Sequence, residues 1–115
     1  MNFIEAGTFS KHRSDLMTDA ELDALKQHLA MYPGAGDAIP GAGGIRKLRW
    51  ANSQRSKGKR SGSRTIYLHV ALADVIHLLL IYDHEEKDDL TTKERKELAT
   101  YAHELKILAK KARNP

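Results

Sequence analysis

Eight lysines and arginines fall between Ile45 and Arg64 with no carboxylate among them: Arg46, Lys47, Arg49, Arg55, Lys57, Lys59, Arg60 and Arg64. The rest of the chain carries 11 cations and 15 acids, a net of −4, so this one segment accounts for the overall charge of +4. A positive field concentrated in this way suits a polyanion. The plainer reading is a solvated charged loop. In Ile45-Arg46-Lys47-Leu48-Arg49-Trp50 the pattern has period two, which predicts a strand. Arg46, Leu48 and Trp50 then share one face, and Ile45, Lys47 and Arg49 the other. Lys47 and Arg49 side by side suit phosphate. Trp50 and Tyr67 are aromatics near cations and could stack on unpaired bases. Leu48 on the same face predicts burial for Trp50, while for Tyr67 core and stacking readings both stay open.

Other chemistries find less support. His12, His28, His69, His77 and His103 are scattered without HExxH or Cys/His spacing, so neither a metal nor a cofactor is expected. His77 lies in an apolar run, which predicts a hydrogen-bonded core histidine. Gly41 to Gly44 fits neither GxGxxG nor the Walker pattern and reads as a turn. Cysteine is absent, which excludes disulfides and thiolate chemistry and fits a reducing cytoplasm. The N-terminus has no signal-peptide pattern. The longest apolar run, around Val75 to Ile81, is far short of the ~20 residues of a membrane span. The expectation is a cytoplasmic protein without membrane association.

The elements that must position the cations follow from periodicity and capping. The 115 residues allow one domain with one core. Phe3 to Ala6 reads as a short strand and Phe9 to Leu16 as a turn of helix. Thr18-Asp19-Ala20-Glu21 is a capping box, followed by an apolar stripe at Leu22, Leu25, Leu29 and Tyr32 and stopped by Pro33-Gly34. Gly34 to Gly44, with five glycines and Pro40, reads as a loop. Ala51 to Gly62 reads as a mobile hairpin connection. Arg64 to Val70 and Val75 to Tyr82 read as strands joined through Ala71 to Asp74. Thr91-Thr92-Lys93-Glu94 repeats the capping box. It opens a helix ending near Ala112, with Leu98, Tyr101, Leu105 and Leu108 expected in the core. The order predicts an α+β domain: a small antiparallel sheet flanked by N-terminal helices and a C-terminal helix, with the helices on one face.

Two strings carry a family resemblance: Gly41-Ala42-Gly43-Gly44-Ile45-Arg46-Lys47-Leu48-Arg49 and Lys57-Gly58-Lys59-Arg60-Ser61-Gly62-Ser63-Arg64-Thr65-Ile66-Tyr67. With Leu78-Leu79-Leu80-Ile81-Tyr82 and Asp88-Asp89-Leu90 at similar spacing, they resemble the RelE/HigB toxins of bacterial toxin–antitoxin systems, most closely the HigB-type branch. The similarity covers about residues 20 to 100. It implies a ribosome-dependent endoribonuclease that cuts mRNA in the aminoacyl site. It also implies a cognate antitoxin of helix-turn-helix type, and contact with operator DNA only through the antitoxin complex.

The resemblance further implies site residues. Lys47 and Arg49 would contact the scissile phosphate region, and Arg64 would stabilise the transition state. His84, just past the apolar strand, would supply acid or base. An exposed-loop role competes for His84, because Asp83, Glu85 and Glu86 surround it and repel RNA. Arg46, Arg55, Lys57, Lys59, Arg60 and Tyr67 would bind RNA or the ribosome. Three positions depart from the pattern: Thr91 where some relatives have an aromatic, Leu68 where an aromatic often follows Tyr67, and Asp83 where glycine is common. These departures support a rival expectation, a non-enzymatic basic nucleic-acid-binding module or inactive relative.

Overall fold

The computed structural model describes residues 1–50, 62–83 and 89–113. In chain order they form β1 (Asn2–Glu5), α1 (Gly7–Leu16), α2 (Asp19–Met31), β2 (Asp37–Ala38), β3 (Arg46–Trp50), β4 (Ser63–Val70), a 3₁₀ turn (Ala71–Ala73), β5 (Val75–Asp83) and α3 (Thr92–Arg113). The sheet order is β1-β5-β4-β3-β2. The three long strands pair antiparallel, and the β4–β5 link of Ala71 to Asp74 is too short for any other arrangement, with Asp74 closing it in the left-handed region at φ 52°. None of the helices among the described residues is long and apolar enough to cross a membrane.

Both capping boxes form. Thr18 Oγ1 accepts from Glu21 N at 3.1 Å while Glu21 Oε1 accepts from Thr18 N at 2.8 Å. Thr91 and Glu94 repeat the arrangement at 3.1 and 2.8 Å. Each box satisfies donors that the first helical turn would otherwise leave without partners.

Four expectations need correction. First, β1 runs parallel to β5, reached through the α1–α2 excursion, so the sheet is mixed. Second, the glycine-rich stretch contains the two-residue strand β2, which pairs with Arg46 and Lys47. Gly36, just before it, has no room for a side chain: a Cβ there would stand 2.9 Å from the Lys47 carbonyl oxygen.

Third, helices cover both faces of the sheet. Alternation sends Ile66, Leu68 and Val70 of β4 to one side, where Ala102 is buried and Leu98, Leu105 and Ala109 of α3 pack. Tyr67, Ile76, Leu78 and Ile81 face the other side, against Phe9 and Leu16 of α1 and Leu22, Leu25 and Leu29 of α2. The sheet's length explains this: β4 and β5 are apolar on both faces, and one helical layer covers only one of them. Fourth, the stripe residues Tyr32, Tyr101 and Leu108 are exposed, at 56%, 41% and 60%. Tyr32 is the C-cap of α2, past its last full turn, and α3 buries the small Ala102 where the stripe predicted larger side chains.

A bulge interrupts the β4–β5 ladder. Ile66 pairs with Leu80 and Tyr67 with Leu78, so Leu79 is an extra residue in β5. The Thr8 hydroxyl donates to the Leu79 carbonyl, supplying a partner where the ladder is disrupted.

Candidate active site

The register of the sheet assembles the cations. Arg49 lies opposite Arg64, Lys47 opposite Ile66, and Asp37 of β2 opposite Lys47. Arg64 in turn lies opposite Tyr82. Lys47, Arg49 and Arg64 therefore share the α3 face, and with Asp37 they line an open cleft of about 280 Å³.

Their environments differ. Arg49 is exposed, whereas Arg64 retains only 8% of its surface and donates from Nη1 to the Gly62 carbonyl at 3.1 Å. Burial lowers the Arg64 pKa, and repulsion from Arg49 lowers it further, against opposing pulls from Tyr82 and Asp83. A guanidinium nonetheless stays charged in proteins. Burial raises the Tyr82 phenol to about 12, with Asp89 adding to the shift.

Lys47 Nζ stands 3.4 Å from Asp89 Oδ1, and Arg95 Nη2 stands 3.2 Å from Asp89 Oδ2. A bond from Leu90 N–H is the largest cause holding the Asp89 carboxyl below its ordinary value, and Lys47 and Arg95 add to it.

The remaining candidates divide. Arg46 points away from Lys47 and Arg49 and donates from Nη1 to the Gly36 carbonyl at 2.8 Å, a bond that ties β3 to the approach to β2. Of the two readings open for Tyr67 the core one holds, and the RNA-binding role implied by the resemblance is corrected. It has no exposed surface, and its hydroxyl donates to the Pro33 carbonyl at 2.8 Å and accepts from Gly36 N at 2.9 Å. Two neighbouring backbone groups of a turn needed partners, and the phenol satisfies both. Trp50 is half-buried, with its ring 5.4 Å from that of His28. His84, Arg55, Lys57, Lys59 and Arg60 lie outside the described residues. Among the described residues no cluster of three or more His, Asp or Glu could hold a metal ion.

No family model matches the sequence. Among solved structures the chain is similar to the Escherichia coli toxin RelE, solved in the free state as a double arginine-to-alanine mutant. The TM-score is 0.53 at 16% identity, over 76% of this chain and 86% of that one. The fold is RelE-like. In this RelE-like frame the sheet carries the three cations on the face that α3 also covers.

Sequence reasoning missed Asp37, Arg95 and Tyr82 as neighbours of the site. Asp37 sits in a stretch whose glycines hid a two-residue strand. Arg95 lies one turn past the Thr91 cap, where its N–H bonds the Thr91 carbonyl at 3.0 Å, and its position along the chain gives no sign of the cleft. Tyr82 could have been found only by placing the bulge.

Proposed function

We propose that this chain is a toxin of the RelE/HigB type, of the HigB-type branch, and a ribosome-dependent endoribonuclease cutting mRNA in the aminoacyl site. The observation that carries the reading is the pairing of Arg49 with Arg64 beside Lys47 in one polar cleft of a RelE-like sheet. Two guanidiniums opposite each other on neighbouring strands repel. An anion between them turns that repulsion into attraction.

In the proposed reaction the ribose 2′-oxygen attacks the adjacent phosphorus in line, and the bond from phosphorus to the 5′-oxygen breaks. A base takes the 2′-hydroxyl proton and an acid returns one to the leaving oxygen. Arg49 and Arg64 offer rigid donor forks to the charge that builds on the phosphorane. Lys47, two residues along β3 from Arg49, adds a mobile cation in the scissile phosphate region. His84 is proposed as the acid or base. The loop from Arg55 to Arg60 is proposed to dock ribosomal RNA through its phosphates. The partners in this reading are the ribosome, mRNA and an antitoxin that carries the complex to operator DNA, all in the cytoplasm, with no cofactor.

The test is induced expression in bacteria of the wild-type chain beside Arg64→Ala, with mRNA ends mapped soon after induction. Growth arrest with new cuts inside translated codons is expected for the wild type and not for the variant. A folded Arg64→Ala chain that cuts and arrests like wild type would sink the assignment. A second reading, a binding module without cleavage, draws on Asp37 and Asp89, two acids set among the cations. It predicts intact messages with the wild-type chain.

A further inference from the structure

The cleft continues past Lys47. Asp37 and Lys47 also line a second, smaller trough of about 140 Å³, with Pro40, Asp89 and Arg95 among its other walls. Within it one carboxylate bridges two cations, Oδ1 toward Lys47 Nζ at 3.4 Å and Oδ2 toward Arg95 Nη2 at 3.2 Å. The Asp89 side chain is 46% exposed, so it is open to competition from solution. The Nε of Arg95 is buried without a hydrogen-bond partner among the described residues, which leaves that guanidinium with an unused donor. Two carboxylate oxygens on two cations mimic the way two non-bridging oxygens of a phosphodiester would be held.

Position along the strand adds a second constraint. Lys47 and Arg49 are two residues apart on one face of β3, about 6.6 Å at the usual strand rise. That is of the order of one nucleotide step in an extended single strand. A chain with one phosphate at Arg49 and Arg64 therefore brings its next phosphate to Lys47 and Arg95.

We propose that Lys47 and Arg95 form a second phosphate subsite, adjoining the scissile one, which Asp89 fills as an internal carboxylate until RNA displaces it. The ligand class is single-stranded RNA with at least two consecutive phosphodiesters. The inference rests on the proposed assignment of Arg49 and Arg64 to the scissile phosphate. Arg95 acts here as a binding residue remote from bond breaking, and Asp89 as a brake on binding.

The experiment is fluorescence anisotropy of the full chain with 2′-O-methyl oligoribonucleotides, which lack the attacking hydroxyl, containing one or two phosphodiesters. The wild type is expected to prefer the longer probe about tenfold, the worth of one charge-assisted contact. Arg95→Gln should abolish that preference and make the plot of log affinity against log salt shallower by ~0.7, the loss of one phosphate contact. Arg95→Lys should restore part of it. Asp89→Asn, which keeps an oxygen for the Leu90 N–H, should bind the longer probe several-fold more tightly.

Circular dichroism confirms folding, and Asp89→Asn carries the test if Arg95→Gln does not fold. An unchanged length preference in folded Arg95→Gln, or no gain in Asp89→Asn, overturns the subsite alone, provided Arg49→Ala and Arg64→Ala still lose binding. No binding of either probe by the wild type overturns the subsite together with the reading on which it rests.

Discussion

Arg49 and Arg64 face each other across β3 and β4, and like charges so placed lower stability by roughly 0.2–1 kcal/mol. Arg49→Ala should therefore leave the denaturation midpoint unmoved or raise it slightly while abolishing growth inhibition. Loss of stability equal to the loss of function would show instead that Arg49 is structural. Tyr67 behaves in the opposite way. Removing its hydroxyl in Tyr67→Phe strands the buried Gly36 N–H and the Pro33 carbonyl, at a cost of about 1–3 kcal/mol in urea unfolding.

Protonation adds a pH signature. Burial lowers the His77 pKa below 6.5, so the unfolded chain takes up its proton first. Stability from this source is intact above pH 6.5 and falls as pH drops through the lower folded value. Asp89, also lowered, adds a second loss only below pH 3.8. At the alkaline end Tyr82, raised to about 12, destabilises the fold as pH climbs above 10 toward that value. Urea melts across pH should show the first decline near pH 6.5, and His77→Gln should remove it.

At the scale of elements, capping chemistry was legible because it is local. Thr18 and Glu21, and Thr91 and Glu94, announce two helix starts by residue type and spacing alone. Thr18→Ala is expected to cost about 0.5–2 kcal/mol by thermal melting, with function retained. The strands β3, β4 and β5 were equally readable from alternation and β-branched content. Pairing across distance was not. Nothing local distinguishes Asp37–Ala38 from the loop around it, since what makes it a strand is the edge of β3 lying alongside. The parallel direction of β1 depends likewise on where α1 and α2 return the chain. The cations Lys47, Arg49 and Arg64 were legible by type and by resemblance. Their convergence needed the register, and Arg95 needed the tertiary fold.

For the whole molecule the decisive feature is a sheet with two clothed faces and one cationic corner. One face is closed by α1 and α2 around Phe9, Leu25 and Leu29, each with no exposed surface. Phe9→Ala should cost about 3–5 kcal/mol, a large share of the ~5–15 kcal/mol of an ordinary domain, and lower the thermal midpoint accordingly. The other face is shared between α3 and the cleft. Cleft and core there draw on the same strand, so Ile66 lies in the core while its neighbour in β4 on that face, Arg64, lines the cleft.

The bulge in β5 fixes a parity. Strict alternation from Val75 would carry Tyr82 to the α1–α2 side, whereas the extra residue at Leu79 returns it to the side of Arg64. β5 is thus one residue longer than the ladder it serves, and Leu79 is the surplus. Deleting Leu79 leaves the side-chain order on both sides intact, at the expense of its own burial and the Thr8 bond. Deleting one residue nearer the start, such as Ile76, puts the two ends of the strand out of phase. Shortened chains should therefore tolerate the loss at Leu79 and reject it at Ile76.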